Sequence, residues 1–265
     1  MQLASLALIA LLAITGPPEG VASGGAVGDS ASISSCVVTL IDQARVPSME
    51  AGVLTELLVE EGQAVKAGDF VARIDDLEAQ SAREIAAVET EIAAEDLDQK
   101  KVRRLQAESR GDRQLLETAQ LESKMAELTL KLRRSQLSAA DVKVARRRIE
   151  SPLDGVVVER YRRRGEWLSP GEAIMYIVRM DRLRVEGFVP AADHSPDEIV
   201  GRDVEITVHL ARGQTAVFRS VVSFASPLVE NSGQYRIWAD VENRREGGQW
   251  VMRPGLTADM RISLQ

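Results

Sequence analysis

Side chains able to do covalent or metal chemistry are scarce here. The 265-residue chain has one cysteine, Cys36, and two histidines, His194 and His209. A single cysteine excludes a disulfide framework and any multi-cysteine zinc site. His194 stands between Asp193 and Ser195, which are the residue types of a hydrolytic triad. Triad members converge from separate parts of a fold, however, and three consecutive residues cannot do that alone. Ser195-Pro196-Asp197-Glu198 reads better as a helix start, with serine as cap, glutamate as its reciprocal partner and proline in the first turn. Gly201 then ends that turn. His209 alternates within a β-type segment and reads as a surface or core residue rather than a ligand. No catalytic residue, cofactor site or metal site is expected, and the chain reads as a non-enzyme.

The charge balance extends that exclusion. With 33 basic and 40 acidic groups the net charge is -7, so nucleic acid is not an expected partner. At 45% apolar residues the chain can bury a core, and at 4% aromatic it is poor in what a large β-sandwich uses. Substantial helix is expected.

The strongest internal signal is a repeat. Residues 51–74 (AGVLTELLVEEGQAVKAGDFVARI) match residues 154–177 (DGVVVERYRRRGEWLSPGEAIMYI) at a constant offset with no gap. Gly52, Gly62 and Gly68 fall on Gly155, Gly165 and Gly171; Val53, Glu56 and Ile74 fall on Val156, Glu159 and Ile177. Each copy reads as a strand, a glycine turn, a short strand, a second glycine turn and a closing strand. The second turn of the second copy, Ser169-Pro170-Gly171-Glu172, has the proline and glycine of a type II turn. Such a unit is shorter than the roughly 40 residues usually needed to fold alone, so the two copies must share one core.

Between them, residues 76–148 contain no proline and one glycine, Gly111. Leu121, Met125, Leu128, Leu132, Ser135, Ala139 and Val142 keep a 4-3 spacing, the pattern of a heptad seam. The first half carries a weaker version: Ile85, Val88, Ile92, then Glu95, Gln99 and Val102. Ser109-Arg110-Gly111-Asp112 reads as a reversal with Asp112 capping the second helix. An antiparallel hairpin with adjacent feet would let the two repeats meet.

After Asp181 the pattern turns to short strands at 183–189, 204–210, 216–224, 235–241 and 257–263, as in a small barrel. At the other end, the apolar stretch 3–14 is too short to span a bilayer, which takes about 20 residues. It fits a secretory signal over 1–23 with cleavage near Val21-Ala22-Ser23, although no Lys or Arg precedes Arg45. Residues 20–35, rich in Gly, Ser and Ala, read as a flexible linker. Ile33-Ser34-Ser35-Cys36 has the letters of a lipoprotein cleavage box, but the apolar stretch ends about 20 residues earlier. Cys36 is expected instead to open a strand at 36–41.

The paired glycine pattern resembles the two halves of a lipoyl/biotinyl carrier domain. With a hairpin between the halves and a barrel after them, the chain resembles the membrane fusion proteins, or periplasmic adaptor subunits of the HlyD family. The stretches 51–76, 149–155 (IESPLDG) and 183–189 (LRVEGFV) lie closest to family type. The resemblance implies an α+β fold: a split lipoyl-like β-sandwich (45–75 plus 149–181), an inserted α-helical hairpin (76–148) and a small β-barrel (182–265), preceded by linker and first strand (24–44). It implies an exported protein of the periplasm or cell envelope that links an inner-membrane transporter, proton-driven or ABC type, to an outer-membrane channel as a homo-oligomeric ring. The carrier's modifiable lysine sits on the turn that the hairpin replaces, and Lys66 lies elsewhere, so no cofactor is expected.

The family's channel-facing motif of arginine, leucine and serine or threonine falls on Lys101, Leu105 and Asp112. Lys101 keeps the charge without the arginine fork, and Asp112 can cap as serine would while adding negative charge. Arg103, Arg104, Arg110 and Arg113 leave the tip basic. Arg146–Arg148, Arg160 and Arg162–Arg164 form a second basic group near the hairpin foot. With the last strand ending near Ser263, the membrane-proximal domain of pump adaptors is expected to be absent or reduced. Two other functions use the same parts: an envelope coiled-coil protein with a structural or signalling role, and the carrier subunit of a biotin- or lipoate-dependent enzyme.

Overall fold

The computed structural model describes residues 30–264; the expected signal segment 1–23 and the first part of the linker lie outside the described residues. In chain order the elements are β1 (Ser30–Leu40), β2 (Gln43–Pro47), β3 (Gly52–Leu57), β4 (Ala64–Val65), β5 (Phe70–Ile74), α1 (Leu77–Arg110), α2 (Arg113–Ala145), β6 (Arg148–Glu150), β7 (Gly155–Arg160), β8 (Trp167–Leu168) and β9 (Ala173–Val178). There follow β10 (Arg182–Pro190), α3 (Pro196–Ile199), β11 (Asp203–His209), β12 (Thr215–Ala225), β13 (Gln234–Glu242), the small hairpin β14 (Arg245–Glu246) and β15 (Gln249–Trp250), and β16 (Thr257–Ser263).

The repeat folds into two facing sheets, β2-β9-β7-β4 and β6-β5-β3-β8. Neither sheet belongs to one copy. The short middle strand of each copy crosses over: β4 pairs with β7, Ala64 opposite Val156, and β8 pairs with β3, Val53 opposite Trp167. That exchange is how two segments too short to fold alone make one core. The inward residues match copy for copy: Leu54 with Val157, Val65 with Leu168, Val71 with Ile174, Ala72 with Met175, and Ile74 with Ile177 are all buried in the same cluster.

The turns match as well. Asp69 N–H donates to the Lys66 carbonyl at 3.0 Å, and Glu172 N–H to that of Ser169 at 3.1 Å. The third residue of each turn, Gly68 and Gly171, sits at φ 84° and 88°, where a Cβ is strained. Gly62 and Gly165 do the same in the first turn, at φ 87° and 91°. Gly52 and Gly155 are instead close approaches. A Cβ on Gly52 would stand 2.6 Å from the Ile74 side chain, and one on Gly155 would stand 2.4 Å from the Val178 carbonyl oxygen.

The hairpin leaves after β5 and returns into β6, and these two strands are neighbours, with Ala72 opposite Ile149. Ile74 N–H donates to the Arg147 carbonyl at 2.9 Å and locks the feet together.

The barrel is closed in the order β1-β10-β13-β12-β11-β16. Five of its strands come from the C-terminal third, and the sixth is β1. This corrects two expectations: residues 30–35 are strand rather than linker, and the barrel is incomplete without the N-terminal segment. Ala31, Ile33, Cys36 and Val38 point inward while the serines point out. A bulge between Ile33 and Cys36 shifts the register, with Ser35 at φ 63°. Bulges add a residue and keep the inward face intact; here the bulge broke the alternation, and the small polar outward residues mimicked linker composition. Ile199 of α3 and Met252 are fully buried in the barrel core.

Candidate functional site

Among the described residues no group of three or more His, Cys, Asp or Glu could hold a metal, and no helix is long and apolar enough to cross a membrane. Asp193, His194 and Ser195 do not form a triad. The His194 carbonyl accepts from the Tyr235 hydroxyl at 3.0 Å, and the Glu198 carboxylate accepts from Ser195 N–H at 3.1 Å, so this segment is a helix cap over the barrel. His209 lies 2.9 Å from Asp259 on the half-exposed outside of the barrel.

The residues expected at a partner contact lie on the hairpin. Its arms of 34 and 33 residues rise about 50 Å at ~1.5 Å per residue. At the tip, Gly111 adopts the left-handed conformation at φ 71° and ends α1. Asp112 then caps α2, its carboxylate accepting from Leu115 N–H at 3.1 Å. Lys101 is held by Asp98 at 3.0 Å. Leu105 is 57% exposed; Arg104 is half-buried and Arg110 exposed. Among the described residues Arg103, Arg104 and Arg110 have no ion-pair partner, while Arg113 is paired with Glu117 at 3.2 Å. The tip therefore presents free guanidinium groups around two exposed leucines, Leu105 and Leu115.

Most of the foot cluster is satisfied within the chain. Arg146 pairs with Glu50 at 3.6 Å, Arg148 with Glu150 at 2.9 Å and Arg162 with Glu172 at 2.8 Å. Arg147 donates to the Asp75 carbonyl across the two feet, and Arg160 donates to the Val59 carbonyl at 3.3 Å.

The seam between the helices is not the one the large apolar residues mark. Ala93 and Leu97 of α1 pack on Ala126 and Leu130 of α2. Ala107, Ala119 and Ser123 are buried along the same line, and half-buried Leu116, Leu137, Ala140 and Val144 continue it. This too is a 4-3 pattern, two residues out of step with Leu121, Met125, Leu128 and Leu132. Two positions are about 200° around a helix, so the two stripes lie on nearly opposite faces. Small residues let the axes approach closely, and that is why the alanine stripe faces in. The leucine stripe is left on the outer edge, with Leu121 and Met125 both 68% exposed. In α1, Ile85, Val88, Ile92 and Val102 are likewise at least half exposed. The inward stripe could be read from the sequence by giving alanine the same weight as leucine in the spacing count.

Set beside known proteins, the family model of the RND MFP barrel-sandwich hybrid domain (MFP, membrane fusion protein) matches residues 42–180. No curated protein matches the sequence. Among solved structures, the membrane fusion protein Spr0693 from Streptococcus pneumoniae R6 is similar at TM-score 0.66 and 20% identity, over 89% of this chain and 99% of that one. MacA from Actinobacillus actinomycetemcomitans is similar at TM-score 0.62 and 19% identity, over 89% of this chain and 78% of that one. A MacA-MexA chimeric protein containing the Pseudomonas aeruginosa MexA α-hairpin domain is similar at TM-score 0.64 and 19% identity, over 90% and 82%. At such identities these likenesses are of fold. The domain match spans both halves of the sandwich and the hairpin between them, more than half of the chain, and on it this chain belongs to the RND membrane fusion protein family.

Proposed function

We propose that this protein is an exported periplasmic adaptor, non-enzymatic, that links an inner-membrane transporter to an outer-membrane channel in efflux or secretion. One observation carries the reading: a long two-helix hairpin is rooted in one sheet of the sandwich through β5 and β6, and the barrel is rooted in the other through β2 and β9. A molecule with a spike on one layer and a barrel on the other has two separate places to hold partners. The tip, with Lys101, Arg104, Leu105, Arg110 and Asp112, is the channel-facing end, and the barrel faces the transporter. Several copies form a ring around the export path.

The test is deletion of the gene followed by accumulation of dyes and antibiotics, with copurification from detergent-extracted envelopes. Raised accumulation on deletion, restored by the intact gene, together with recovery of a transporter on the tagged protein, is the expected result. Unchanged accumulation with no transporter recovered would overturn the proposal in favour of an envelope structural role.

A further inference from the structure

On one face the two arms of the hairpin leave a groove between them. It holds about 790 Å³ and is lined from Ala94 to Arg104 on α1 and from Ser123 to Arg134 on α2. Its floor is small or apolar: Ala94, Leu97, Ser123 and Leu130. Leu128 stands at its border, 56% exposed.

The rims are basic. Lys101, Arg104, Lys124, Lys131 and Arg134 line the groove against two carboxylates, Asp98 and Glu127. The whole chain carries a net charge of -7, so this face is opposite in sign to the protein that bears it. Lys101 is paired with Asp98 at 3.0 Å and Lys124 with Glu127 at 2.9 Å. Both are exposed pairs of the kind that contributes little, and a partner can displace them. Among the described residues Arg104, Lys131 and Arg134 enter no ion pair. The Glu127 carboxyl registers the excess: the hydrogen bond and charge of Lys124 hold it below the usual carboxylate range, and Lys101 and Lys131 act in the same direction.

The spacing of the cations sets the shape of what fits. Two cross-hairpin bridges fix the heights, Lys100 with Glu122 at 3.1 Å and Arg133 with Glu89 at 3.0 Å. Arg134 is therefore about level with Val88, and Arg104 stands about 24 Å nearer the tip at ~1.5 Å rise per residue. Free cations at both ends of that length cannot converge on one small anion. An amphipathic helix meets the whole groove: its apolar face covers the floor and its carboxylates reach the rims. A second copy of this hairpin meets only half. At equal height its α1 offers Glu91, Glu95 and Asp96 to Lys131 and Arg134, but toward the tip it brings Arg103 against Arg104 and Lys101. Like charges set opposite one another cost several kcal/mol at an interface.

We infer that this groove is a docking site for an acidic amphipathic helix of another protein, roughly four turns long and separate from the contact at the hairpin tip. The inference goes beyond the adaptor reading and needs only the hairpin.

Two measurements test it. In the first, the full chain is titrated with a labelled synthetic helix of about 18 residues that carries glutamates on both flanks of a leucine stripe. A control peptide has the same composition with the leucines scattered. The striped peptide should bind about tenfold tighter or more than the control at low salt and weaken as salt is added. Lys131→Glu with Arg134→Glu should cost about tenfold or more of that affinity. A lysine-flanked striped peptide should then bind the reversed variant better than the original chain, which a folding defect would not produce. In the second, a photo-cross-linking residue at position 131 is activated in intact cells and the adduct is mapped by mass spectrometry. The expected adduct joins position 131 to a carboxylate-rich helical segment of a different protein. Equal binding of the two peptides, or no loss on charge reversal, would overturn the inference and leave the groove a solvated basic face. Adducts to this chain alone, or none, would overturn it as well. Any of these failures leaves the adaptor reading standing, because that reading is judged by the deletion phenotype.

Discussion

Cys36 and Gly187 meet across β1 and β10, and the fit is tight: a Cβ on Gly187 would stand 2.6 Å from the Cys36 sulfur. Gly187→Ala is therefore an overpacking change, expected to cost about 1–3 kcal/mol. Cys36→Ala in the same chain should recover most of that loss, because the clashing atom is gone. Urea unfolding of the three variants measures both effects. The thiol has no chemistry at neutral pH. Burial, helped by the charge of Asp259, pushes it up to about 11, and the thiolate is the reactive form. A thiol reagent at pH 8 should therefore react with Cys36 only at the rate of unfolding. The residue types alone disclosed this much, since a lone cysteine in an alternating apolar segment reads as core. They did not disclose the bulge beside it, which depends on the register with β16.

The hairpin separates two meanings of the same spacing. Leu130 lies in the helix–helix seam at 6% exposure, and Leu121, about two and a half turns away, is 68% exposed on the outer edge. Leu130→Ala should destabilise the hairpin by about 2 kcal/mol, the lower end for a core truncation because the seam is only one layer deep. Leu121→Ala should leave the stability of a single chain within about 0.5 kcal/mol. Helicity measured against temperature at low protein concentration reads both effects. The 4-3 pattern was legible before the fold was known, as was the reversal at Gly111 and Asp112. Which of two out-of-step patterns faces the other arm was not, because apolar size marks the exposed one more loudly.

The whole molecule is held at a narrow junction between sandwich and barrel. Arg179 is the staple: its guanidinium holds Asp181 through two bonds of 2.7 and 3.0 Å and reaches Asp42, in the bend between β1 and β2, at 3.3 Å. Its backbone N–H also donates to the Asp42 carbonyl at 3.0 Å. The hydrogen bond from Arg179 holds the Asp181 carboxyl below the usual carboxylate range, against a smaller opposing effect of burial. A carboxyl whose value is lower folded than unfolded adds stability above its unfolded value, near ~4, and loses it as the pH falls through the folded value. Asp181→Asn should therefore flatten the fall of thermal stability below about pH 4 while lowering stability at pH 7. An unchanged acid slope in that variant would remove Arg179 and Asp181 from the account of acid sensitivity.

The chain's order of residues already contained the repeat, its glycine turns, the inserted hairpin and five barrel strands, because each is a local matter. Backbone conformation at a turn and the period of an apolar face depend on residues close in sequence. Three things waited for the tertiary structure: the exchange of β4 and β8 between the two halves, the recruitment of β1 as the barrel's sixth strand, and the choice of the alanine stripe as the hairpin seam. Each is settled by what lies opposite in space. A period says that a face exists, but only the distance to a partner decides whether small residues close against it or large ones remain outside.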